Sequence, residues 1–561
     1  MGFLKQDAPV VDFAEWSTGT RSEKIKPMAR HWAEVGFGTP VVLHLFYVLK
    51  IAAYVAVAYV IVASTDGIGF GNVGHWYNEP IVFEKVVLFT MLFEVVGLGC
   101  GFGPLNNRFV PPMGSILYWT RPGTIRLRPW RLPLTSGDTR TPVDVALYVA
   151  LLVFLVVALA SGPSGRGVLP IWEIWTILGL LGVLGLRDKV IFLAARAEIY
   201  APLTAAFLFT DGSDTILAAK LICLMIWVGA ASSKLTRHFP FVISTMMSNN
   251  PVLRPRWIKR RFFEDFPDDL RPGRPSRVLA HGSTAVEGLV PLAMFFGHGW
   301  VVTAAVIVML CFHFGILSSI PMGVPLEWNV FMMFSVVALF LGHPAVGLGS
   351  AATPLPFLLF AVSAVVVVLG NLFPHLISFL PGMRYYAGNW DVTLWCLKPS
   401  ASAKIEANVV SIASMPQSQM ARYYGSPENA QLYLYMGYAF RGFNSHGRAM
   451  FSLAHRAMAG LDEDEYILID GERICSTALG WNFGDGHMHN EQLIAALQKR
   501  CQFEPGEVRV VLIDAQPIHR QRQHYRLVDA ATGEFERGYI EVADMVVRQP
   551  WDDTTPVHVS A

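Results

Sequence analysis

The sequence predicts a polytopic α-helical membrane protein of about eight to ten transmembrane helices, carrying a C-terminal cytoplasmic α+β domain. Three observations predict it. Of 561 residues, 53% are hydrophobic and only 16% charged, which is too apolar and too long for one soluble domain. Ten apolar windows fall between residues 41 and 379, and from Gly382 onward the apolar runs shorten while turn and charged residues take over.

Residues 1–40 come first: a polar stretch of mixed charge (Lys24, Lys26, Arg30, Glu34) with no long apolar run before Val41. It reads as an amphipathic cytoplasmic segment without a signal peptide. The transmembrane domain is expected over 41–381. A bilayer core about 30 Å thick needs roughly 20 apolar residues per helix. Seven windows qualify strongly: 41–64, 82–104, 143–161, 171–187, 214–234, 300–319 and 355–379. Three weaker ones fill the gaps: 190–210, with Arg196 and Glu198; 283–297, with Glu287; and the short 328–343.

Loop charge orients them, since short cytoplasmic loops are enriched in Lys and Arg. Segment 105–142 carries Arg108, Arg121, Arg126, Arg128, Arg131 and Arg140 against the single acid Asp138, and 235–282 is also basic. Both read as inside, and the remaining connections are nearly free of Lys and Arg. A plasma-membrane protein of bacterial type follows, with both termini cytoplasmic.

Residues 382–561 are expected to form a soluble α+β domain. Its first part, 402–460, reads as helical with breaks at Pro416 and at Gly425-Ser426-Pro427. Alternating runs follow at Tyr466–Ala478 and Val508–Ile513, and a hairpin over His524–Val547 turns at 531–533. Asn490 is placed to cap a helix with the stripe Leu493, Ile494, Leu497.

Several function classes drop out early. A formal net charge of +1, from 44 basic and 43 acidic residues, gives no support to a nucleic-acid partner. The six cysteines are far apart and form no CxxC pair, which disfavours a disulfide framework and a zinc ribbon. No Walker loop, nucleophile elbow or His-Glu-x-x-His helix is present.

What remains are ionisable side chains at depth, which default to a site or a packing pair. At about 1.5 Å per residue, Lys50, Glu94, Arg196, Glu198, Lys234, Glu287 and His313 fall in one layer although they come from six spans. A polar cavity open to the cytoplasmic leaflet is the expectation, with Lys50, Glu94, Arg196, Glu198 and Glu287 as ligand-binding groups. Lys50 and Glu94 are near enough in depth to pair, as are Arg196 and Glu198. Glu84 and Lys85 read as structural, and Lys220 as a snorkelling side chain.

The stretch Ile226-Trp227-Val228-Gly229-Ala230-Ala231-Ser232-Ser233-Lys234-Leu235 resembles the span ending of vitamin K-dependent γ-glutamyl carboxylases and of the horizontally transferred transmembrane domain superfamily. Arg187-Asp188-Lys189, His281-Gly282, Cys311-Phe312-His313-Phe314, Met322-Gly323 and Trp328-Asn329 continue the resemblance over about 185–345. The whole chain also looks like an uncharacterised bacterial transmembrane family of actinomycete type. The carboxylase resemblance implies a quinone cofactor such as menaquinone, Lys234 as the base that deprotonates it, and His313 donating to a quinone oxygen. An amine at the edge of an apolar cavity loses solvation and becomes a competent base. The chain departs from the carboxylases at Val190–Arg196, where they carry Trp-Asn-Asn-His, and glutamate carboxylation is not implied.

Elsewhere, His487 and His489 sit two apart and offer a metal clasp on one face of an extended segment, although a turn with exposed histidines is the commoner reading. The glycines at 97, 99, 101 and 103 read as close helix packing. Arg and Trp interleaved over 118–131 suit an anionic lipid surface. The leading expectation is therefore a membrane protein that binds a quinone or lipid and acts on it with Lys234. The competing one is a non-catalytic subunit, scaffold or lipid carrier whose C-terminal domain docks a protein partner.

Overall fold

Residues 2–103, 113–322, 326–377, 384–481 and 488–560 are described by a computed structural model. Among them, six helices are long and apolar enough to cross a bilayer: Val41–Ala63, Pro142–Ala160, Ser213–Ser233, Arg274–Phe296, Trp300–Ser318 and Leu355–Leu372. Ser213–Ser233 is the axis of the bundle. Its apolar window is 83% buried against 17% for Val41–Ala63, because Leu355–Leu372, Arg274–Phe296 and Ala197–Phe209 all pack on it.

The remaining windows are helical but shorter. Ile171–Arg187 matches its window. The 82–104 window ends as a helix at Val95, because Gly97 takes φ +91° and turns the chain so that the Glu94 carboxylate meets the Cys100 amide at 2.8 Å. The 190–210 window is two helices, Lys189–Ala194 and Ala197–Phe209, broken where Arg196 adopts φ +49°. Leu326–Ser335 runs into a π-helical turn over Val336–Leu341. Lys220 does not snorkel: it is buried and caps the chain after that turn, donating to the carbonyls of His343 and Val346. Glu84 and Lys85 are likewise taken up internally, by the Leu169 amide and by Thr65 and the Leu159 carbonyl.

A small hairpin, β1 (Phe263–Asp265) and β2 (Asp269–Pro272), lies in the basic loop before Arg274–Phe296. The C-terminal region is built on a six-stranded antiparallel sheet of β3 (Val392–Leu397), β4 (Ile467–Asp470), β5 (Val508–Ile513), β6 (Arg522–Asp529), β7 (Gly533–Glu541) and β8 (His558–Val559), in the order β4-β3-β5-β6-β7-β8. The strand β3 has every residue buried, so it shows no alternation for a sequence reader to find. The run read as alternating over Tyr466–Ala478 is β4 followed by the helix Gly471–Ala478, because the Asp470 carboxylate caps the Glu472 amide. Helices Pro399–Asn408, Pro416–Tyr424, Pro427–Phe443 and Gly447–Ala457 break where the prolines and glycine require. Asn490 caps Glu491–Cys501.

Among the joints that tie the sheet region to the rest, two stand out. The helix Arg21–Val35 opens on a Thr20/Glu23 capping box and buries Trp32 against Phe440 and Phe443, at ring separations of 5.4 and 5.2 Å. Residues 21–35 thus share a core with the C-terminal helices. The short helix Ser115–Trp119 is the second joint: Ser115, Tyr118 and Trp119 donate to the carbonyls of Gly480, Thr477 and Leu479. Of the aromatic and basic residues read as lipid-facing, Tyr118, Trp119 and Arg126 are therefore buried, while Arg121, Trp130 and Arg131 stay exposed.

Candidate functional site

Small residues at the end of the axial helix create the site. Gly229, Ala230 and Ala231 keep its last turns thin, and Arg274–Phe296 comes close enough that a Cβ on Gly288 would lie 3.3 Å from Ala231 Cβ. Lys234, the C-cap residue, reaches across that contact to donate to the Glu287 carboxylate. Its ammonium also lies 5.1 Å from the Phe239 ring centroid and 6.0 Å from that of Phe312.

His313 stands nearby on Trp300–Ser318. The Trp227 indole N–H donates to His313 Nε2 at 3.0 Å, and His313 Nδ1 lies 3.1 Å from Asn329 Oδ1. An indole can only donate, so Nε2 is bare and Nδ1 carries the proton that goes to Asn329. Both ring nitrogens are thus engaged, which leaves His313 no proton to offer a quinone oxygen without surrendering an internal bond. It is a wall held in place from two sides.

These groups line a cavity of about 110 Å³ whose other walls are mainly apolar, among them Ile226, Met246 and Met332. Arg196 closes one end, its guanidinium 5.4 Å from the Trp328 ring centroid. Of the seven residues expected to share a hollow, four line this cavity: Arg196, Lys234, Glu287 and His313. Lys50, Glu94 and Glu198 do not.

Lys50 and Glu94 belong to a neighbouring buried cluster that meets the cavity at Arg196. Lys50 does not pair with Glu94 as its depth suggested. Its Nζ lies 3.3 Å from Glu327 and donates to the Gly99 carbonyl at 3.1 Å, because the short second helix turns back at Gly97 and Leu326–Ser335 brings Glu327 in instead. Arg196 turns to Cys100, Nη1 to Sγ 3.1 Å, rather than closing on Glu198 alone. Glu198 contributes to the field at Arg196 from two residues along the chain. Sequence reasoning missed Glu327, Cys100, Trp227 and Asn329 as site residues. Glu327 carried the one available signal, an acid directly before the Trp328-Asn329 pair at the start of an apolar window.

His489 is buried in the sheet region with Nδ1 2.7 Å from Thr393 Oγ1, and it belongs to no cluster of three metal-capable side chains among the described residues. His487 lies outside the described residues.

Residues 1–560 match a family described as transmembrane protein of unknown function (DUF3556). No curated protein and no solved structure matches the chain.

Proposed function

The chain belongs to the DUF3556 family of transmembrane proteins, and from that premise we propose that it binds the polar end of a quinone or lipid in the cavity beside Lys234. The observation that carries this reading is one mainly apolar cavity receiving four ionisable side chains from four helical segments, inside a layer where each such group is costly to keep. At about 110 Å³, below the roughly 150 Å³ that takes one benzene ring, the cavity admits only the polar edge of a head group. The tail stays among the outer faces of the helices.

An ammonium has three N–H donors. Glu287 uses one, and the others are available to a ligand carbonyl or phosphoryl oxygen. If chemistry follows binding, Lys234 serves as base only after passing a proton to Glu287, while Trp227 and Asn329 hold His313 as a positioning wall. The resemblance at Trp227–Leu235 and Phe312-His313 favours a quinone over other lipids, and the Arg-rich loops favour a cavity level with the cytoplasmic leaflet.

The test is mass spectrometry of lipid co-purifying with wild type and with Lys234→Ala. Stoichiometric quinone or lipid in the first and its loss from the second support the reading. A head group photo-crosslinked far from Lys234 and Glu287 removes it. A scaffold reading has one observation in its favour, the internal partners of Lys234 and His313. It expects Lys234→Ala to impair folding or recovery of a partner on the C-terminal region with lipid content unchanged.

A further inference from the structure

We propose that Glu94, Cys100 and Glu327 form a binding site for one divalent transition-metal cation of zinc type. The site is distinct from the quinone or lipid cavity and meets it at Arg196 and Tyr386. One donor atom from each of the three residues lies within 4.8 Å of the other two, and all three residues are fully buried. They are brought together by the end of Pro80–Val95, the glycine turn after it and the start of Leu326–Ser335.

The oxygens themselves point to a ligand. Glu94 Oε1 and both oxygens of Glu327 accept no hydrogen bond from the described residues, although both residues are 0% exposed. Lys50, at 3.3 Å, offers Glu327 charge without a well-formed bond. Buried carboxylate oxygens without donors are costly to keep, and a cation would satisfy them. Gly99 shows how closely the backbone is pressed against the pair: a Cβ there would stand 2.1 Å from Glu94 Oε2 and 2.8 Å from Glu327 Oε1.

The donor set selects the ion. A thiol argues against calcium and magnesium, which take oxygen ligands, while a sulfur with two carboxylates suits zinc or a cation of similar softness. Tetrahedral zinc with bonds of about 2.0–2.3 Å spaces its donors roughly 3.3–3.8 Å apart, so donors within 4.8 Å of one another need to close by about 1.5 Å at most. Three protein ligands leave a fourth position for water or a substrate atom, as in catalytic rather than structural zinc sites. Binding exchanges a proton for the metal: the Cys100 S–H bond breaks, a sulfur–metal bond forms, the proton leaves, and no electron moves. Arg196 Nη1, 3.1 Å from the sulfur, stabilises the thiolate. The charges agree in sign. With both carboxylates ionised as ligands, Glu94 and Glu327 balance Lys50 and Arg196, so a dication with a thiolate adds a single positive charge.

Cobalt(II) is the probe. Full-length protein from cobalt-supplemented cells should carry about one cobalt per chain and show a near-ultraviolet thiolate-to-cobalt absorption band. Cys100→Ser should lose the band, and Glu94→Gln/Glu327→Gln should lower the metal content at least ~10-fold. His487→Ala/His489→Ala should leave both unchanged. A variant keeping Cys100 but with the other five cysteines replaced should retain the band, which covers the case of Cys100→Ser failing to fold. Cobalt below about a tenth of an equivalent in wild type, or a band that survives Cys100→Ser, would overturn the proposal.

Discussion

The Lys234–Glu287 pair offers the sharpest measurement. Its side chains are 7% and 8% exposed, so solvent screens little of their interaction, and removing one leaves the other as an uncompensated buried charge. That costs about 3–5 kcal/mol, whereas replacing both with apolar groups of similar volume is close to neutral. Lys234→Met and Glu287→Leu are therefore each expected to destabilise by about 3–5 kcal/mol. The double variant should return to within about 1 kcal/mol of wild type, which makes the coupling energy close to the sum of the two single losses, about 5–10 kcal/mol. The assay is an SDS titration in mixed micelles followed by tryptophan fluorescence, with circular dichroism as a second probe. A Lys234→Met protein within about 1 kcal/mol of wild type, or a double variant as unstable as the singles, would refute the account of a mutually compensating buried pair. The double variant also isolates function from folding: it should be stable yet co-purify without the quinone or lipid, and wild-type lipid content in it would remove the pair from the ligand's contacts.

Gly99→Ala should destabilise by about 1–3 kcal/mol, because its Cβ would collide with both carboxylates. Gly179→Ala, in a helix with nothing within 4 Å, should be neutral or stabilising by up to about 1 kcal/mol in the same titration. Tyr118→Phe removes the hydroxyl that donates to the Thr477 carbonyl and accepts from the Ala413 amide. With both groups left unpaired it should cost about 2–5 kcal/mol and raise proteolysis of the C-terminal region, read by limited trypsin digestion. His238, buried between Ser445 and Gln516, has its imidazole pushed down to about 4, first by burial and against the Gln516 bond. Its contribution is thus fully present above the ordinary imidazole value of about 6.5 and lost as pH falls toward 4, at about 1.4 kcal/mol per unit. His238→Gln should flatten that slope, and an unchanged slope would assign the acid sensitivity elsewhere.

Much of this architecture is written along the chain. An apolar stretch is expelled from water wherever it occurs, so length and composition alone locate the helices Val41–Ala63, Pro142–Ala160, Ile171–Arg187, Ser213–Ser233, Trp300–Ser318 and Leu355–Leu372. Proline and glycine break backbone geometry locally, so the helix starts at Pro416 and Pro427 are equally legible. The strand β3 is not, because burial on both faces erases its period. Nor is the break at Arg196, a left-handed residue that only surrounding contacts can hold in place.

At the site, the common depth of Arg196, Lys234, Glu287 and His313 follows from a fixed rise per residue, which is a property of each helix by itself. Which charge meets which does not follow, because pairing depends on helix rotation and on turns such as Gly97 that bring distant residues together. Composition, patterning and local rules thus determined that this chain enters a membrane as many helices with a folded C-terminal region. Only the packed structure decided that Lys50 meets Glu327, that Lys234 meets Glu287 and that His313 is spoken for by Trp227 and Asn329, since those contacts join residues tens to hundreds of positions apart and exist nowhere until the helices are assembled.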